Sequence, residues 1–145
     1  MQQETQKILG DFRGDRVEPL AARVSAHCNR VPVVDGHTVT VSVELSSKPS
    51  EADLRAAIDR YSSVPQERNL PSAPPRPVIY MDEANRPQPR KDAERERGMA
   101  AFVGRLRPCP VLDYKFVALG HNTVRGAAGA AVLNAELMHS EGMLD

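Results

Sequence analysis

Val39, Val41, Val43 and Leu45 alternate with Thr38, Thr40, Ser42 and Glu44, the two-residue period of a strand with one buried face. A weaker alternation runs from Ala22 to Cys28, with Ala22, Val24, Ala26 and Cys28 on one side and Arg23, Ser25 and His27 on the other. Both read as half-buried strands, which favours an antiparallel or mixed sheet covered on one side. Residues 99–106 predict a further strand, ended by Arg107-Pro108-Cys109-Pro110. Residues 111–119 predict another, apolar on both sides and therefore central. Val78-Ile79-Tyr80-Met81 predicts a short edge strand.

Helical spacing appears in three places. Leu54, Ala57, Ile58 and Tyr61 follow Ser50 and Asp53, which resemble a capping box. Thr5, Ile8 and Leu9 share a face ahead of Gly10, a natural C-terminal stop, so residues 1–10 read as the tail of a helix whose beginning lies upstream. The last helix follows Gly120, capped by Asn122 or Thr123, with Val132, Leu133, Leu137 and Met138 supplying its packing. Its opening, GAAGAA at 126–131, needs a reason, because glycine in a helix costs about 1 kcal/mol relative to alanine. Close helix packing and close approach of a flat ligand both remain open.

Residues 62–98 break these periods. Seven of the 12 prolines fall between Pro65 and Pro89, and a polar, mixed-charge run follows. A segment of this kind reads as a long loop or an exposed arm ordered against a partner chain.

Composition narrows the function classes. The 145 residues suit one domain, and 41% hydrophobic content suits a packed core. The 19 basic residues balance 19 acidic ones, so no net field favours nucleic acid or an anionic membrane. No apolar run approaches the ~20 residues of a membrane-spanning helix, and no signal peptide is visible at the N-terminus. Cys28 and Cys109 make no disulfide framework. The expected setting is therefore reducing and cytoplasmic. His27, His37, His121 and His139 lack zinc-ligand spacing, so no metal site is expected.

Chemistry concentrates in CNRVPVVDGHTVTVSVEL, residues 28–45. Arg30, a planar cation suited to gripping a carboxylate or phosphate through two parallel hydrogen bonds, lies seven residues before His37, a proton carrier near neutral pH. The stretch reads equally as an ordinary strand connection with Asp35-Gly36 in the turn, a surface histidine and a solvated arginine.

That stretch, taken with NRPQPR, FVGRLRPCPVLDYKFVALGHN and NTVRGAAGAAVLNAEL in this order and spacing, resembles the C-terminal half of the aspartate-semialdehyde dehydrogenases, in particular their fungal and archaeal branch. The resemblance runs from about Glu4 to Leu137. It implies an α+β fold like the C-terminal domain of glyceraldehyde-3-phosphate dehydrogenase, a mixed, largely antiparallel sheet with helices packed on one face. It implies one substrate-binding and dimerisation domain over 1–145, and a homodimer formed through it. In the family, an N-terminal Rossmann-type domain holds NADP and the nucleophilic cysteine. The family's reaction reduces L-aspartyl 4-phosphate to aspartate semialdehyde with release of phosphate, on the route to lysine, threonine, methionine and isoleucine.

The resemblance implies that Arg30 binds the substrate carboxylate, that His37 is the general acid/base and that Asn122 lies at the nicotinamide end of the cofactor. No GxGxxG-type loop follows a strand, and neither cysteine has the family's nucleophile context. The expectation is a chain without the NADP-binding domain or the nucleophile, binding no cofactor and inactive by itself. The alternative is a non-enzymatic dimerisation or interaction module that shares the fold.

Overall fold

The computed structural model describes residues 2–144. Its contacts group the chain into two compact units, Met1–Pro32 and Val33–Asp145.

In the first unit, helix α1 (Gln2–Ile8) leads into a hairpin of β1 (Asp11–Phe12) and β2 (Val17–Glu18). Met1, the first residue of the stretch 1–10 expected as a helix tail, lies outside the described residues. Gly10 is needed between helix and hairpin, because a Cβ there would sit 2.3 Å from the Glu18 carbonyl oxygen. The Leu20 N–H donates to the Gln6 carbonyl at 2.9 Å, and Gln6 Nε2 donates to the Ala22 carbonyl at 2.7 Å.

The strand expected over 22–28 does not form. Ala22, Val24 and Ala26 are half-buried and Arg23, Ser25 and His27 exposed, so the alternation is present, but the segment joins no ladder among the described residues. Cys28, expected on the inner side, is exposed. Alternation reports a face; a strand also needs a neighbour, and that is not a property of the segment.

The second unit is built on a four-stranded mixed sheet. Strand β3 (His37–Val43) is followed by α2 (Glu51–Arg60), the short α3 (Val64–Glu67) and β4 (Val78–Met81). Then come α4 (Pro89–Asp92), a 3-10 turn at Arg95–Gly98, β5 (Ala101–Pro108), β6 (Tyr114–Gly120), a π-helical turn at Val124–Ala128, and α5 (Gly129–Ser140). The spatial order is β3-β6-β5-β4, antiparallel except for the parallel β4–β5 pair. Strand β6 is central and β4 an edge, as the patterns predict. Strand β5 starts two residues later than expected and runs to Pro108. A strand end tolerates the missing N–H of proline, and a bulge between Gly104 and Arg107 lets Pro108 pair with Tyr114.

Cross-strand partners share a face. Ile79, Phe102, Leu119 and Thr38 lie on one face; Tyr80, Val103, Ala118 and Val39 on the other. Helix α2 covers the Tyr80 side of β4 and β5, with Arg55 stacked over the Tyr80 ring and Tyr114 Oη donating to the Pro49 carbonyl at its base. The predicted capping box is present: the Asp53 N–H donates to Ser50 Oγ, and the Ser50 N–H to the Asp53 carboxylate.

The opposite face is the better sealed. Phe102 and Leu119 are 0% and 1% exposed and pack with Met81 and Ala100. Each such side chain contributes about 1.5–3 kcal/mol by leaving water.

What seals this face corrects the expectation of an exposed arm. Within residues 62–98, Leu70, Met81, Asp92 and Ala93 are buried, and Arg95 lies over the Phe102 ring. Asp92, 0% exposed, anchors the segment. Its carboxylate accepts from Arg86 Nε at 2.8 Å, from Arg86 Nη2, and from the Gln88 N–H at 2.7 Å.

Helix α5 packs through Leu133, with Leu137 half-buried, against Leu70 and Met99. Val132 and Met138, expected to pack, are 53% and 42% exposed. Gly129 resolves the question of the GAAGAA stretch at its own position, since a Cβ there would lie 2.4 Å from Met99 Sδ and 2.9 Å from the Val124 carbonyl oxygen. Close helix packing requires it. No helix among the described residues is long and apolar enough to cross a membrane.

Candidate functional site at the end of β3 and β6

His37 is the first residue of β3 and pairs with Gly120, the last of β6. Its side chain is exposed. Gly120 offers no side chain opposite it, and a Cβ built there would meet nothing within 4 Å. The imidazole therefore stands at an open corner of the sheet.

The backbone beneath it is firmly held. Gly36 is buried with φ +100, and a Cβ there would lie 3.1 Å from Leu119 Cδ1, 3.2 Å from Pro89 Cβ and 3.4 Å from Ala93 Cβ. Only glycine meets both the conformation and the space. The Gly36 N–H donates to Asn122 Oδ1 at 2.7 Å.

Asn122 is not the helix cap that the sequence predicts, and the Thr123 side chain makes no cap bond either. The preceding residue caps instead. Nδ1 of His121, a ring 4% exposed, accepts the N–H groups of Thr123 and Val124, each at 3.3 Å, and Nε2 lies 3.1 Å from Glu94 Oε1. An acceptor at Nδ1 places the proton of the neutral ring on Nε2, directed at the Glu94 carboxylate.

Asp35, Glu94 and His121 bring ligand-type atoms within 4.8 Å of one another, a trio that the sequence spacing did not reveal. The ring presents an N–H there and commits its lone pair to the helix start. In that arrangement His121 braces the start of the closing helix against Glu94.

Arg30 belongs to the first unit, and its side chain is exposed. His37 and Asn122 belong to the second, where the Gly36 hydrogen bond brings them to one corner.

Cys109 follows β5. Its thiol is held below the usual range by the Leu112 and Val111 backbone N–H groups, with help from the Ser42 hydroxyl and Lys115. Ser42 is five residues along β3 from His37, roughly 17 Å at strand rise. Cys109 is therefore not the sulfur that His37 could serve.

Residues 1–125 match the family described as semialdehyde dehydrogenase, dimerisation domain. The chain belongs to that family. It is 49% identical over 138 residues to the aspartate-semialdehyde dehydrogenase of Methanothermobacter thermautotrophicus, covering 94% of this chain and 40% of that one. Against the enzyme of Trichophyton rubrum it is 46% identical over 142 residues, covering 92% and 39%. The crystal structure of the Candida albicans aspartate-semialdehyde dehydrogenase with NADP superposes with a TM-score of 0.90 at 37% identity, over 99% of this chain and 42% of that one. The semialdehyde dehydrogenase dimerisation domain described here thus spans about 40% of the length of these curated relatives. The α+β class and the mixed, largely antiparallel sheet agree with the fold that the resemblance implies.

Proposed function

We propose that this chain is the substrate-binding and subunit-pairing part of an NADP-dependent aspartate-semialdehyde dehydrogenase, which reduces L-aspartyl 4-phosphate to aspartate semialdehyde and releases phosphate. The observation that carries the reading is the His37 corner: an exposed imidazole on a pinned backbone, opposite a glycine that leaves room for a reacting group.

Arg30 grips the substrate's α-carboxylate through paired, charge-assisted hydrogen bonds. The nucleophilic sulfur comes from the portion of the relatives that this chain does not span. Attack of that thiolate on the acyl phosphate expels phosphate and leaves a thioester. His37 acts after reduction. A proton on its ring nitrogen passes to the oxygen of the sulfur-bound tetrahedral adduct. It returns to the ring as the C–S bond breaks, the electron pair leaves on sulfur, and the aldehyde forms. General acid–base help of this kind contributes about 10²–10⁴ in rate.

Among the described residues, the parallel pair β4–β5 is linked through α4 and a 3-10 turn that carry the Asp92 anchor, and Gly129 is packed against Met99. Neither place is a strand–glycine-loop–helix unit, which supports leaving NADP to another portion of the enzyme. NADP is held by the portion of the relatives that this chain does not span, and the chain alone turns over no substrate and pairs with a second copy of itself.

The test joins this chain to the complementary portion of the Methanothermobacter relative. Turnover is expected, falling at least 100-fold in His37→Ala, and Arg30→Lys is expected to raise KM for aspartyl phosphate. Sedimentation of the 145-residue chain by itself should give twice its 15.9 kDa mass, in wild type and variants. Undiminished turnover in His37→Ala would leave only the interaction-module reading.

A further inference from the structure

We propose that Asn122 is a positioning residue for His37, acting through the Gly36 N–H; the inference rests on the reading of His37 as the acid/base. The two strands carrying this corner end together, with His37 opposite Gly120. A ladder frays at its last pair, and a side chain there inherits the freedom of the backbone beneath it. Asn122, two residues beyond Gly120, reaches back across the pair to the residue just before His37 and supplies one more hydrogen bond, at 2.7 Å, after the ladder has ended. The donor is a backbone N–H, so the atom facing it is the amide oxygen of Asn122.

The tether has a rigid end. Asn122 follows His121, whose buried ring is fixed on one side by the start of the closing helix and on the other by Glu94. The other end is rigid too: Gly36, at φ +100, packs on Leu119, Pro89 and Ala93. His37 is the exposed residue that follows this held glycine. Reaction requires the imidazole within hydrogen-bond reach of the adduct oxygen, and a displacement near 1 Å costs about 100-fold in rate. The oxygen of Asn122 is committed to that task, and a contact to the nicotinamide would fall to its NH2.

Two measurements test it. In the 145-residue chain, hydrogen exchange at the Gly36 amide should be slow. It should speed at least tenfold in Asn122→Ala and stay slow in Asn122→Asp, whose carboxylate still accepts. In the joined enzyme, Asn122→Ala should lower kcat 10- to 100-fold with KM for NADPH within twofold of wild type, and Asn122→Asp should recover most of the loss. Unchanged kcat in Asn122→Ala, while His37→Ala is inactive, would overturn the inference and leave the acid/base assignment standing. A rise in KM for NADPH with kcat intact would overturn it in favour of a cofactor contact. Undiminished turnover in His37→Ala would instead overturn the acid/base assignment itself, and the inference with it.

Discussion

Asp92→Asn should unfasten residues 82–98 from the sheet. In the wild type, one carboxylate oxygen takes Arg86 Nε and the Gln88 N–H, while the other takes Arg86 Nη2, with Arg95 Nη1 at 3.5 Å. Asparagine keeps the shape and can satisfy one side. Its NH2 must then face guanidinium donors, so at least one charge-assisted bond is replaced by a donor–donor contact. Hydrogen bonds to charged groups are worth about 1.5–3 kcal/mol, and breaking a buried pair costs about 3–5 kcal/mol. The Arg86 side chain keeps 18% of its exposure, so water offsets part of the loss. The expected cost is about 3 kcal/mol, a large share of the roughly 5–15 kcal/mol that holds a domain together, and a melting temperature lower by roughly 10 °C.

The same contacts set a pH signature. Burial acts to raise the Asp92 carboxyl, but the Arg86 guanidinium, the Gln88 N–H and Arg95 outweigh it, and the group titrates below its ordinary value. A depressed folded pKa gives a contribution that is complete above the unfolded value of about 3.9 and lost as pH falls through the folded one. Urea midpoints of wild type and Asp92→Asn should therefore differ at pH 7 and converge progressively below about pH 4. Equal midpoints at pH 7, or a gap undiminished in acid, would refute the account of this anchor.

Three further substitutions address the packing of the corner and of the closing helix. Gly129→Ala should lower the urea midpoint by the equivalent of about 1–3 kcal/mol, because the new methyl meets Met99 Sδ and the Val124 carbonyl. Gly120→Ala, with open space around the new methyl, should melt within about 1 kcal/mol of wild type. His121→Leu should remove the acceptor for the Thr123 and Val124 N–H groups. It should cost about 1–2 kcal/mol, as lost caps do, and speed exchange at those two amides; unchanged exchange there would rule out the ring as the cap.

How far the fold is legible in the sequence depends on whether an element is fixed locally. Val39, Val41 and Val43 announce β3 by their spacing, and Ser50 with Asp53 announces α2, because a period and a capping box are complete within a few residues. Residues 62–98 are illegible for the opposite reason. Their elements are single turns stabilised by distant partners: Leu70 by Met99 and Leu133, Ser72 by Glu136 at 2.7 Å, and Arg68 by the Ser140 carbonyl at 3.1 Å. Frequent proline reads as absence of structure when no partner is visible. Ala22–Cys28 errs the other way, with a correct alternation and no neighbouring strand.

The candidate site divides along the same line. Arg30 and His37 stand out as chemistry only through the resemblance, since an arginine and a histidine seven residues apart also describe an ordinary loop. The bond from Gly36 to Asn122 spans 86 positions and leaves no local trace. Nor does the tautomer of His121, which depends on the helix that begins behind it and on Glu94.

These hidden contacts bear directly on the acid/base role proposed for His37. Leu119 and Phe102 are packed in the core of the sheet one residue below the corner. The glycine at 36 lets the chain turn sharply against them, and the glycine at 120 keeps the space above empty. Stiffness and openness occupy adjacent residues. An imidazole on a stiffer, more buried position would be inaccessible to substrate, and one on a looser loop would lose the alignment that proton transfer demands. With Cys109 some five strand residues away, such a corner has a catalytic use only if sulfur and hydride are brought to it by protein lying beyond residues 33–144.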